Sequence, residues 1–183
     1  HLNVNKNTPL IVEVVGLAGA GKTTLLRALT EHDNSFRIVS DLEIRNLAHL
    51  PIFINHARFM LALFRRQSHC DRGFTWDEMK AMIYLMTWPS VLRTEMTHKD
   101  RAILLNHGPI FKMATLHAFG PQSLHGDRFE LWWHKIFEQW SSALDLIIWL
   151  KAPENILRER INLRSQRHVV KGRPEAEATN FLA

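Results

Sequence analysis

Residues 16–24 read Gly16-Leu17-Ala18-Gly19-Ala20-Gly21-Lys22-Thr23-Thr24. They follow the apolar, β-branched run Leu10–Val15 and precede Leu25, Leu26, Ala28 and Leu29 at helical spacing. A strand, a glycine-rich loop and a helix in that order restrict the fold more than any other feature of the chain, because the loop matches G-x-x-x-x-G-K-S/T. Each residue type has a physical task. Glycines let the backbone turn so that its N–H groups face inward on phosphate oxygens. The helix that follows adds the positive end of its dipole. Lys22 has the reach to neutralise β- and γ-phosphates, and the Thr23 hydroxyl suits a magnesium ion. Gly16 to Thr24 are therefore expected to bind ATP with Mg2+.

Four short apolar runs read as buried strands of a mainly parallel sheet: Leu10–Val15, Phe36–Val39, Ala102–Leu105 and Leu146–Leu150. Helical patterns separate them, which predicts an α/β fold with helix layers on both faces of the sheet. Residues 51–100 are expected to form a helical insertion beside the loop, where such folds bind ligands. One helix is predicted over Asn55–Arg66, with Phe59, Met60, Leu63 and Phe64 on one face. A second opens with the capping box Thr75-Trp76-Asp77-Glu78 and runs through Met79, Met82, Ile83 and Met86 to a break at Trp88-Pro89. A third begins at Pro109 and a fourth covers Asp127–Trp140. The stripe Phe129, Trp132, Trp133, Ile136, Phe137 and Trp140 on the fourth faces the core.

The 183 residues, 46% of them hydrophobic, suit one globular domain with a full core. The lone cysteine, Cys70, is read as a buried free thiol in a reducing, cytoplasmic setting. No apolar run reaches the length of a membrane span and no signal peptide is evident. The net charge of +5 fits a pocket for triphosphates, since the arginines cluster near the C-terminus and no nucleic-acid module accompanies them. The eleven histidines lack paired metal spacing. The last residues, Glu175 to Ala183, read as the opening of a further helix.

After the fourth strand, Ala152-Pro153-Glu154 opens a helix carrying Ile156, Leu157, Arg158, Arg160, Ile161, Arg164 and Arg167. At about 100° per residue, Arg160, Arg164 and Arg167 share the side of Ile156, Leu157 and Ile161, while Arg158 points away. Three arginines that continue a docking face reach over the protein and form an anion clamp. Their planar forks suit the charge that spreads over a transferring phosphoryl group. His168, Lys171 and Arg173 extend this lid, and Gly172 gives it a hinge.

The P-loop, the strand Leu144–Leu150 and the segment from Ala152 to Arg167 together resemble the P-loop nucleoside and nucleotide kinases, especially the thymidylate-kinase-like and deoxynucleoside-kinase-like groups. The resemblance implies the P-loop fold of nucleotide-kinase type, a C-terminal arginine lid and phosphoryl transfer. Two positions depart from thymidylate kinases. Val15 stands where they carry an acid, and Asn106-His107-Gly108-Pro109 stands where they carry Asp-Arg. Asn106 is neither a carboxylate ligand nor a base, although its amide suits a water or an acceptor hydroxyl. Room is thereby left for an acceptor other than a nucleoside monophosphate.

The expected roles follow. Lys22 neutralises the β- and γ-phosphates, Thr23 ligates magnesium, and Arg160, Arg164 and Arg167 clamp the transferring group. Asp41, just past the second strand, is the candidate general base or magnesium ligand, and suits an N-cap equally well. Arg58, Arg72, Trp76 and Tyr84 are candidates for an acceptor pocket. Glu13 is unusual inside an apolar strand and needs a partner there. The partners expected are ATP and one small-molecule acceptor, with room for a homodimer and no place for nucleic acid or membrane. An ATP-dependent phosphotransferase is the first functional expectation. A nucleotide-binding regulatory protein without turnover is the second, supported by Asn106. A GTPase is excluded because Thr97-His98-Lys99-Asp100 misplaces the lysine of N-K-x-D. A motor-type ATPase needs an acid at the end of the third strand, where Asn106 stands.

Overall fold

A computed structural model describes residues 9–39, 41, 47–65, 72–96 and 99–163. Its centre is a four-stranded, all-parallel sheet in the order β2-β3-β1-β4, with β1 Leu10–Gly16, β2 Phe36–Val39, β3 Ala102–Asn106 and β4 Leu146–Leu150. Parallel neighbours need crossover connections. These are supplied by α1 Lys22–His32, α2 Leu50–Arg65, α3 Trp76–Glu95, α4 Pro109–Phe119 and α5 Asp127–Ser141, and α6 Glu154–Leu163 follows β4. The expected α/β architecture is present.

Strand alternation divides the interior in two. Ile11 of β1 with Ile103 and Leu105 of β3 face α3, α4 and α5, where Met82, Ile83, Leu85, Trp88, Leu116, Ile136 and Trp140 complete the larger core. Val12 and Val14 with Ala102 and Leu104 face Leu26 of α1. Helices thus cover both faces, giving three layers. No described helix is long and apolar enough to cross a membrane.

Four expectations need correction. Helix α2 starts at Leu50, five residues before Asn55, because Pro51 occupies its first turn, where a missing N–H leaves no gap. The strand β4 is not buried. It forms a sheet edge, with Leu146 and Ile147 exposed and Trp149 70% exposed. Within the aromatic stripe of α5, Ile136 and Trp140 are buried and Phe129, Trp132 and Trp133 pack against the core, but Phe137 is exposed.

The break expected at Trp88-Pro89 is the fourth. Helix α3 continues through Pro89 to Glu95. Proline removes the N–H that would bond the carbonyl four residues earlier, here Leu85. Trp140 of α5 donates its indole N–H to that carbonyl at 2.9 Å, and Gln139 reaches the next carbonyl, Met86, at 3.4 Å. The orphaned acceptors are satisfied from a neighbouring helix, so the helix persists. Trp140→Phe removes the indole donor, and Pro89→Ala restores a helical one. The Trp140→Phe penalty in urea unfolding is therefore expected to shrink by about 1 kcal/mol when Pro89→Ala is already present. Strict additivity of the two changes would contradict this account.

Candidate functional site

The P-loop joins β1 to α1 at the carboxyl edge of the sheet, between the ends of β3 and β4. Gly16 has φ 147°, and a Cβ there would lie 2.4 Å from the Leu150 carbonyl oxygen. Only glycine fits so close to β4 with that backbone. The first turn of α1 carries no acidic residue, and its N-cap, Gly21, brings no side-chain cap. The positive helix end therefore faces the loop without an intramolecular anion.

Two cations converge on this loop. Lys22 Nζ donates to the Gly16 carbonyl and, at 3.1 Å, to the Leu17 carbonyl. Arg160 Nη1 of α6 donates to the Gly19 carbonyl at 3.1 Å. Helix α6 is held there by Leu157 and Ile161, which are buried against Ala18 and Ala20 of the loop and Ala152. Two of the three residues expected to form the docking side do so, and Arg160 projects from that side onto the loop. Arg164, Arg167, His168, Lys171, Gly172, Arg173, Cys70 and Glu175 to Ala183 lie outside the described residues.

Glu13 is fully buried in β1 and has found its partners. Its carboxyl oxygens accept the N–H groups of Ile110 at 2.8 Å and Phe111 at 3.0 Å, in the first turn of α4. Gly108, the N-cap of α4, contributes no side-chain cap, so Glu13 performs that task from a strand. A Cβ on Gly108 would sit 2.8 Å from the Glu13 carboxyl carbon, which explains the glycine. Burial pushes the Glu13 carboxyl above its ordinary 4.5, while the Ile110 and Phe111 N–H groups and the Lys112 charge pull it back.

Lys112, one turn into α4, is buried, yet the sequence reading gave it no role. Its Nζ donates to Asp41 Oδ2 at 2.8 Å and lies 4.6 Å from the centre of the Tyr84 ring. Asp41, expected to act as base or magnesium ligand, is thus half of an ion pair at the end of β2. A lone lysine among Ile110, Phe111 and Met113 was the available signal, but its partner lies 71 positions away. Tyr84 is buried in the core, stacked on Trp88 and Trp140, with the Lys112 ammonium over its ring. The other acceptor-pocket candidates are not brought to the P-loop. Arg72 ties Glu78 to the Phe119 carbonyl, Trp76 stacks on Phe53 at 5.9 Å, and Arg58 is exposed on α2.

His107 follows β3 and has φ 61°, the only positive φ among described non-glycine residues. Its ring lies 4.4 Å from that of Phe111. Burial, then the Lys22 and Lys112 charges, hold its pKa below the ordinary 6.5, against an opposing pull from Asp41. A groove of about 870 Å³ between α4 and α5, lined by Met113, His117, Trp133 and Phe137 among others, contains no P-loop residue. This groove is therefore separate from the P-loop.

No protein-family model matches the chain, and no curated protein matches it. Among solved structures it is similar to a deoxyadenosine kinase from M. mycoides, at 12% identity and TM-score 0.49, covering 94% of this chain and 80% of that one. It is similar to a gluconokinase from Sinorhizobium meliloti 1021, at 14% identity and TM-score 0.39, covering 97% and 74%. It is also similar to a thymidylate kinase from Ehrlichia chaffeensis, at 13% identity and TM-score 0.38, covering 84% and 78%. The P-loop, its two cations and the buried carboxyl group are properties of this chain's own geometry.

Glu13→Ala leaves the two α4 N–H groups without an acceptor and is expected to cost about 1–3 kcal/mol in urea unfolding. Glu13→Gln keeps one acceptor and should fall between. Because the folded pKa of Glu13 is raised, the folded state binds more protons than the unfolded state just above pH 4.5. Wild-type stability relative to Glu13→Gln should therefore increase as pH falls through that window. A difference that decreases there would contradict the assignment.

Proposed function

We propose that the chain is an ATP-dependent phosphotransferase that moves the γ-phosphoryl group of ATP to a small-molecule acceptor. The observation that carries this is the convergence of Lys22 and Arg160, from two different helices, on the carbonyls of one P-loop. Both cations compensate the loop's negative dipoles, and the oxygens of a triphosphate are stronger acceptors for them. Loop amides from Gly16 to Thr24 and the uncapped α1 terminus cradle the β- and γ-phosphates. Lys22 neutralises them. Arg160, with Arg164 and Arg167 from the rest of the lid, stabilises the charge that spreads over the group in transit.

Magnesium binds nucleotide with few protein ligands, keeping waters and phosphate oxygens around it. The Thr23 hydroxyl at the start of α1 fits that demand. When bound, the ion shields the β- and γ-phosphate charge. We assign Asp41 to holding Lys112 in the cleft, in place of the base or magnesium role. The acceptor would lie beside the P-loop at the carboxyl end of the sheet, near the Lys112–Asp41 pair.

Lys22→Ala is expected to abolish ADP formation. Arg160→Ala should lower kcat by about 10²-fold or more while changing ATP affinity little. The deciding assay is ADP release from ATP and Mg2+, with pooled nucleosides, nucleoside monophosphates, sugars and polyols as acceptors. Release that rises with one pool supports the proposal and names the acceptor class. ATP binding without acceptor-dependent release would replace it with a regulatory nucleotide-binding role.

A further inference from the structure

Phosphoryl transfer to a hydroxyl needs a group that takes the proton, and the cleft offers few. Both oxygens of Glu13 accept α4 backbone N–H groups, and the residue is fully buried. Asp41 Oδ2 carries the Lys112 ammonium at 2.8 Å. The end of β3 supplies the neutral Asn106, whose buried Oδ1 has no hydrogen-bond partner among the described residues. An orphaned amide oxygen and, directly after it, a left-handed histidine are two local costs that packing alone does not require. They fall together at the carboxyl end of the central strand pair, where α/β folds bind ligands.

The left-handed turn determines where the histidine ring goes. With φ 61°, His107 leaves the strand line and lays its ring against Phe111, on the solvent side of α4. The charges of Lys22 on the P-loop helix, Lys112 on α4 and Asp41 at the end of β2 all act on the ring. Asn106 pairs with Val14 of β1, two residues before the P-loop opens, so His107 follows at the strand end beside that loop. More than a third of the residue is open to solvent, and no hydrogen bond engages its ring nitrogens among the described residues.

We propose that His107 is the general base of the transfer, the catalytic residue that receives the proton of the acceptor hydroxyl. This rests on the phosphotransferase function proposed above and deepens it. The acceptor oxygen forms a bond to the γ-phosphorus as the bond from that phosphorus to the β–γ bridging oxygen breaks. The electron pair leaves with ADP, whose new charge Lys22 meets. The hydroxyl proton passes to an imidazole nitrogen and then to water. A base must be unprotonated at working pH. The surrounding burial and the two ammonium groups hold the ring's pKa below its ordinary 6.5, which favours the neutral form. Activity is therefore expected to decline as acid protonates the ring.

The test uses the full chain, ATP with Mg2+ and whichever acceptor pool supports turnover. His107→Gln should lower kcat about 10²-fold, leave the affinity for a fluorescent ATP analogue unchanged, and remove the acid limb of the kcat/KM profile. His107→Gly accepts the left-handed backbone without strain, and added imidazole should restore part of its turnover. Wild-type kcat in His107→Gln with the acid limb intact would overturn the assignment. So would a loss of turnover matched by a loss of ATP binding, with no rescue by imidazole. A wild-type chain without acceptor-dependent turnover would instead remove the phosphotransferase function itself, and the base with it.

Discussion

One buried carboxyl group organises the candidate site. Glu13 sits in the strand that leads into the P-loop, and its oxygens hold the first two free N–H groups of α4. The contact fixes a helix to the central strand at its positive end, where an acceptor is favoured by both hydrogen bonding and the helix dipole. Everything α4 brings to the cleft depends on it. Lys112 is placed over Tyr84 and beside Asp41, Gly108 is required because nothing larger clears the carboxyl, and His107 is turned outward to meet Phe111. Burying this carboxyl group is costly in isolation, and its amide partners and the Lys112 charge offset part of that cost.

A comparable exchange maintains the helical layer. Pro89 removes a donor from the middle of α3, and Trp140 returns one from α5. The same indole stacks on Tyr84, whose other neighbour is Trp88. A hydrogen bond therefore sets the register of α5 against α3, and aromatic packing then supports the ring beneath Lys112. The helical layer thus rests on a proline that would elsewhere end a helix.

On the other flank, the P-loop is shared between two helices. Leu157 and Ile161 bury α6 against loop alanines, and this brings Arg160 to the Gly19 carbonyl. Small residues at Ala18 and Ala20 permit the close approach. Lys22 of α1 and Arg160 of α6 are in this way joined through backbone that both touch.

Much of this was legible in the chain alone. The strand periods, the P-loop, the Thr75 capping box and the docking side of α6 are written in residues a few positions apart, and local backbone chemistry acts over that range. The identity of loop, lysine and hydroxyl was therefore determined by sequence. Tertiary structure decided the rest. Glu13 meets Ile110 across 97 positions, Lys112 meets Asp41 across 71, and Arg160 meets Gly19 across 141. No periodicity couples such distant residues. Only packing brought a strand carboxyl to a helix end, replaced the N–H that Pro89 lacks, and left β4 at an exposed edge. A buried polar group must find its partner wherever the fold places one, and that place is a property of three dimensions.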